Sequence, residues 1–169
     1  MVYMLMIFYK HYLYIYYKVP EALYCLSIFK VGFMVNTIVQ KVVFTGISPQ
    51  TLYNTYMDAK EHSKAIGAKV SIQKETGIKF TSHNGYITGK TFQLIKDKLI
   101  VQSWRGSDWN KTDVDSTFIL QFEQKGKNGI LRMVHANIPD RFYAGIKDGW
   151  NQYYWKLWKE YFAGQKKKK

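Results

Sequence analysis

The stretch RFYAGIKDGWNQYYWKLWKEYF, residues 141–162, decides the fold. Ile146, Trp150, Tyr153, Tyr154, Leu157 and Tyr161 recur at the spacing of one face of a 3.6-residue helix, which predicts a long core-facing helix. Asp140 after Pro139 is placed to cap its start, and Gly164 before the lysine run 166–169 supplies a stop signal and cations for the negative end of the dipole. So long and aromatic a helix is not stable alone in water, so the preceding chain has to supply an apolar surface that covers it.

Working back from the helix, the chain reads as hairpins. Gly126 to Gly129 turns the strand around Phe118, Leu120 and Phe122 into one that puts Leu131, Met133 and His135 on a single face. Lys96-Asp97 separates Tyr86–Ile95 from Leu99–Arg105, Asn84-Gly85 is a hairpin signal, and Glu75-Thr76-Gly77 divides Val70–Ile72 from Ile78–Thr81. Earlier still, Ser48-Pro49 is an N-cap with proline at the first helical position, and Asp58 with Glu61 resembles a capping box whose helix Gly67 would close. Thr37–Thr45, rich in β-branched residues, is the first clean strand.

The order is therefore strand, two short helices, about six antiparallel strands and one long helix. An α+β domain satisfies it, with a strongly curved antiparallel sheet wrapped around the C-terminal helix so that each covers the other's apolar face. Connections that are nearly all hairpins exclude a parallel crossover and its nucleotide crevice.

These residues also carry a resemblance. GYITG (85–89), LIVQSWRGSDW (99–109), HANIP (135–139) and GWNQYYWKLWKEYF (149–162) resemble the C-terminal domain family of the activator of the ninety-kilodalton heat-shock protein ATPase, within the START-like (SRPBCC) superfamily. The resemblance runs from about Thr37 to Phe162. It implies a helix-grip fold of the birch-pollen-allergen type with a cavity between sheet and helix that, in relatives, receives an apolar molecule. The residues expected to line it are Phe80, Trp104, Phe118, Phe122, Leu131, Met133, His135, Trp150 and Tyr154. Residues 1–36 are too short and of the wrong character to be the chaperone-binding domain of the eukaryotic co-chaperone, so stimulation of a chaperone ATPase does not transfer with the resemblance.

Residues 1–33 differ from the rest, being packed with Tyr, Met, Ile and Leu. As a membrane span they fail at Lys10, His11, Lys18, Pro20 and Glu21, since a lysine near mid-membrane costs about 2.5 to 3.5 kcal/mol. As a secretory signal they lack a basic start and a small-residue cleavage site. The plain expectation is an extension ahead of a domain spanning 34–164, with 165–169 a basic tail; an interfacial anchor, which would bring in a membrane, and a helix of the domain are the alternatives.

A net charge of +13 invites nucleic acid, but four of those charges sit in the terminal lysine run, the rest are dispersed, and no recognised binding motif accompanies them. Cys25 is the single cysteine, which excludes an intramolecular disulfide or a cysteine zinc site and suits a cytoplasmic protein. The four histidines show no metal-ligand spacing, so neither metal nor cofactor is expected. His135 is the one candidate for catalysis, of a cyclase-like or hydrolase-like kind, and a lone histidine on an apolar face is more often a hydrogen-bonded core residue. Trp155, Trp158 and Phe162 form a second helical stripe, to be covered by the short helices, by residues 1–33 or by a protein partner. The resulting expectation is a domain, non-enzymatic by default, that binds a small apolar or amphipathic molecule, with a co-chaperone-like interaction module as the alternative.

Overall fold

The computed structural model describes residues 3–9, 12–19, 22–30 and 36–166, and the chain falls into two compact units, Met1–Met34 and Val35–Lys169. In the first, β1 (Tyr3–Tyr9), β2 (Tyr12–Val19) and β3 (Ala22–Lys30) form a three-stranded antiparallel sheet in the order β1-β2-β3. Strands replace the helix that was one expectation for this stretch. Of the remaining expectations for the ends, Lys10, His11, Pro20, Glu21 and the run 167–169 lie outside the described residues. Among the described residues no helix is long and apolar enough to cross a membrane.

The second unit is α+β. β4 (Asn36–Phe44) is followed by α1 (Pro49–Met57) and α2 (Ala59–Ile66), then β5 (Lys79–Ser82), β6 (Ile87–Ile95), β7 (Leu99–Gly106), β8 (Ser116–Lys125) and β9 (Asn128–Ile138). These strands make one antiparallel sheet in the order β4-β9-β8-β7-β6-β5, so the last strand returns to pair with the first and every other neighbour is a hairpin. Val70–Ile72, read as a strand, contributes only an isolated bridge between Ser71 and Thr81. The chain around it is too short, and too bound to the α2 exit through the Ser63 hydroxyl that accepts from Val70 N–H, to lie along β5 as a ladder.

Local chemistry sets the short helices. Ser48 Oγ accepts from Thr51 N–H at 3.1 Å with Pro49 at the first helical position, and Asp58 Oδ1 accepts from both Lys60 and Glu61 N–H at 2.9 Å. Glu61 does not complete a capping box: its carboxylate takes Lys64 and the Tyr161 hydroxyl instead. Gly67 closes α2 in the left-handed region at φ 69°. Gly89 answers a different need. A Cβ there would stand 2.1 Å from Ser103 O and 2.5 Å from the Phe80 ring, so β6 can approach only without one.

The long helix differs from its sequence reading in phase. A 3₁₀ turn at Asp140–Phe142 leads into α3 (Tyr143–Trp150), then a π-helical turn over Asn151–Trp155, then α4 (Lys156–Lys166). Asp140 does not cap the helix; its carboxylate accepts from Asn36 Nδ2 at 2.6 Å and ties the turn to β4. In the π turn Lys156 N–H reaches Asn151 O, five residues back, which inserts one residue into the helical repeat. One residue is about 100° of rotation. Trp150 is buried before the turn, Tyr154 and Trp155 within it, and Trp158 and Phe162 after it, while Tyr153 is half exposed and Leu157 and Tyr161 are only partly covered. The two stripes of the sequence thus become one continuous face. Gly164 does not stop the helix, which runs on to Lys166.

That face meets the sheet in a closely packed core. Trp150 stacks on Phe118 with ring centroids 4.6 Å apart and on Trp155 at 5.5 Å, and Trp158 packs among Phe44, Tyr56, His62 and Phe162. Aromatic pairs of this kind contribute about 0.5 to 1.5 kcal/mol each beyond their area burial.

Candidate functional site

The gap between sheet and helix is filled where the sequence placed the centre of a cavity. Phe118, Leu131, Met133 and His135 have no accessible surface, and Phe80 and Phe122 are buried with them. Of the nine residues expected to line a cavity, Trp104, Trp150 and Tyr154 border open space, and the other six belong to the packed core. The sequence could place all nine on inward faces, but whether inward side chains fill a space depends on their summed volume.

The open space is a cleft of about 400 Å³ at one end of the sheet. Its helix wall runs from Arg141 and Phe142 through Gly145, Ile146 and Gly149 to Trp150, Tyr153 and Tyr154. Its sheet wall is Ile87 on β6 and Trp104 on β7, with His83 and Tyr86 from the turn that joins β5 to β6. Volume and lining fall in the range of small-molecule sites, which are apolar with a few placed polar groups. Sequence reading missed most of the helix wall, although Gly145 and Gly149, one turn apart in a helix otherwise crowded with aromatic residues, were the signal for a groove.

The polar groups sit at the two ends. At one, Arg141 bonds Asp113, whose carboxylate also accepts from Asn110 N–H at 2.7 Å, and its guanidinium lies 4.6 Å over the Phe142 ring. The Arg141 bond holds the Asp113 carboxyl below its usual range. Phe142 in turn stacks on the buried Trp109 with rings 10° from parallel. At the other end Ser82 Oγ stands 3.1 Å from His83 Nδ1 and 3.3 Å from the Tyr154 hydroxyl. Burial raises the Tyr154 phenol and lowers His83, so both are neutral near pH 7. Trp104 Nε1, in the wall between, is buried and makes no hydrogen bond among the described residues.

His135 lies behind this wall. Trp150 Nε1 donates to its Nδ1 at 3.1 Å, and its Nε2 is 2.7 Å from Ser116 Oγ, which itself donates to Trp104 O at 2.7 Å. Since the Ser116 proton is used on the carbonyl, Nε2 carries the hydrogen and Nδ1 accepts. Both nitrogens of the neutral ring are spent, and burial lowers the group to about 3. With neither an exposed atom nor a place in the cleft, His135 has the surroundings of a structural residue.

Arg105 is not a cleft residue either. It pairs with Asp115 at 2.8 Å and donates to the carbonyls of Asn110 and Asp113, clamping the loop 107–115, while Asp108 accepts from the Tyr86 hydroxyl. Trp155, Trp158 and Phe162, weighed as a partner surface, are buried by β4, α1 and α2, and Trp155 Nε1 donates to Gln40. They offer no outer surface in this fold. The outer face of the sheet does carry apolar side chains in register, Val39 opposite Val134, Val134 opposite Ile119 and Ile119 opposite Val101, with Val39 71% exposed. Among the described residues no three His, Cys, Asp or Glu side chains stand together as a metal site would need.

A curved antiparallel sheet closed around a long C-terminal helix, with two short helices after the first strand and a cleft beside the helix, defines a helix-grip domain of the START-like class. Residues 46–163 match the family model for "Activator of Hsp90 ATPase homolog 1-like protein", and the chain belongs to that family. It is 27% identical over 116 residues to the human activator of 90 kDa heat shock protein ATPase homolog 1, an alignment covering 69% of this chain and 34% of that protein. The Dictyostelium discoideum homolog is 26% identical over 106 residues, covering 62% and 27%. The matched region therefore spans about a third or less of these curated relatives. Among solved structures, an HSP90 activator from Plasmodium falciparum superposes with a TM-score of 0.62 at 27% identity, covering 72% of this chain and 90% of that one. A protein from Mesorhizobium loti shares the fold at a TM-score of 0.66 and 16% identity.

Proposed function

We propose that the domain binds a small apolar or amphipathic molecule in the cleft beside α3. The observation that carries this reading is the aromatic-walled space of about 400 Å³ beside a packed cluster of Phe118, Leu131, Met133 and His135. Apolar surface left facing water at such a place is costly unless something covers it, at about 25 cal/mol per Å². Mass spectrometry of small molecules extracted from gently purified protein tests the reading, together with titration of an apolar fluorescent probe. A bound species displaced by the probe is the expected result; no extracted molecule and no probe binding would remove the reading.

A second reading is a protein-interaction module of the co-chaperone kind. It is supported by the names of the relatives, which are activators of a heat-shock protein ATPase, and by the apolar row Val39, Val134, Ile119 and Val101 on the outer sheet face. Adding the chain to a 90 kDa heat shock protein and following ATP hydrolysis tests it. A rise in turnover that Val39→Asp removes is the expected outcome for this role, and an unchanged rate at saturating domain counts against it.

A further inference from the structure

We propose that the cleft takes a planar aromatic carboxylic acid, with its carboxylate at Arg141 and its ring system along the helix. The proposal rests on the ligand-binding reading above and specifies its chemistry.

Three features define the shape. The helix wall from Phe142 to Tyr154 covers thirteen residues, a rise of about 18 Å. Gly145 and Gly149 stand one turn apart on it, so midway along the slot the helix presents backbone where other turns present rings. A Cβ at Gly145 would have nothing within 4 Å, which means that the space beside it is open. Opposite, the slot is closed by Trp104 and flanked by Trp150 and Tyr154, rings that are buried and fixed by their own neighbours. A flat body satisfies such walls by stacking, whereas a flexible chain would lose conformational freedom to lie in the same slot.

The charge comes from what lines the cleft. Arg141 is its one fully ionised side chain, and no carboxylate is among the lining residues. The guanidinium is pre-positioned, since Phe142 lies beneath it and Asp113 takes one of its terminal nitrogens. That leaves Nε and the second terminal nitrogen without a hydrogen bond among the described residues. Asp113 takes one hydrogen of Nη2, and the other stands parallel to the free hydrogen of Nε or of Nη1, a pair on one edge that matches the two oxygens of a carboxylate. The other end of the slot offers a neutral phenol and a neutral imidazole, which reject a second charge and accept an apolar or hydroxylated ring.

The test uses the full chain and three probes of one skeleton: anthracene-2-carboxylic acid, its primary amide and the corresponding aminomethyl compound, with decanoic acid as an aliphatic comparison. Dissociation constants are read from tryptophan quenching, and by displacement for decanoate. The acid should bind at least tenfold more tightly than the amide, and the amine and decanoate more weakly still. Arg141→Gln should bring the acid to the amide's affinity and leave the amide unchanged; Arg141→Lys should keep part of the difference. Gly145→Leu, a substitution into open space, should abolish binding of all the probes at an unchanged melting temperature. Equal binding of acid and amide by the parent, a preference that survives Arg141→Gln, or decanoate binding as tightly as the aromatic acid would overturn the proposal while the cleft remains a ligand site. No binding of any probe would overturn both.

Discussion

Trp150 and His135 are joined by a hydrogen bond from the indole N–H to Nδ1, 3.1 Å long and wholly buried, between the helix and the last strand. The bond fixes the tautomer of the ring, and the ring fixes how the helix rotates against β9. His135→Gln can keep one of the two partners, so it should cost about 1 to 2 kcal/mol of stability, whereas His135→Leu strands the indole donor and removes the N–H that Ser116 Oγ accepts, and should cost about 2 to 4 kcal/mol. Urea denaturation of the two variants decides; a leucine variant as stable as the glutamine one would mean that the pair contributes nothing.

Two buried histidines make stability depend on acid. His62 donates from Nδ1 to Tyr56 O at 2.8 Å, its Nε2 meets no partner, and desolvation, aided by nearby His83, lowers it from 6.5 to about 4. His135 is lowered to about 3 by burial. Above pH 6.5 both states hold neutral rings and these groups contribute in full. Below it the unfolded chain takes up protons that the folded chain refuses, so stability falls as pH drops toward 4, by up to about 1.4 kcal/mol per pH unit for each ring. Denaturation midpoints at pH 7.5, 5.5 and 4.5 should fall in that order, and His62→Phe should flatten the slope. A midpoint independent of pH across this window would contradict the burial of both rings as neutral groups.

The π turn over Asn151–Trp155 is what unites the aromatic face. Deleting the exposed Gln152 removes the inserted residue, so regular α geometry puts Trp155, Trp158 and Phe162 four, seven and eleven positions after Trp150, still on the buried face. Inserting an alanine after Gln152 instead rotates them by about 100° out of the core, and losing even one such side chain costs about 3 to 5 kcal/mol. The deletion variant should therefore keep a cooperative melt and the insertion variant should lose it. A deletion variant that fails to fold would show that the turn does more than absorb one residue.

Residues 34–165 contain the six-stranded sheet, the short helices and all of the long helix but its last residue, and no part of β1 to β3. A chain of these residues should fold and melt within a few degrees of the full chain. Loss of the transition on truncation would make the first sheet part of the same cooperative structure.

The parts of the fold that were legible in sequence are those governed by local chemistry. Ser48-Pro49, Asp58 and Gly67 bound α1 and α2 because a cap or a left-handed residue acts within a turn of the chain. The hairpins follow from their turn residues and alternating faces. The phase of the long helix was not legible beyond Tyr154, because an inserted residue leaves the pattern of aromatic spacing ambiguous between two stripes, and only the packing of Trp158 against Phe44 and Tyr56 chooses. The cleft was half legible. Trp104, Trp150 and Tyr154 were found from their inward direction, but the same logic gathered Phe118, Leu131 and Met133, which fill space instead of enclosing it. Arg141 stayed hidden because its position in the cleft depends on Asp113, 28 residues earlier.

The crowding of rings in this core also has an optical consequence. All five tryptophans of the chain stand in two contacting groups, Trp104 with Trp109 at 5.5 Å and Trp150, Trp155 and Trp158 in succession at 5.5 and 6.3 Å, with the His135 ring between them. Transition dipoles so close and so rigidly oriented couple, so the native protein should show intense near-ultraviolet circular dichroism with split bands. Excitation absorbed by any one indole will migrate among the others. A chromophore seated between Trp104 and Trp150 would then darken the emission of the entire set.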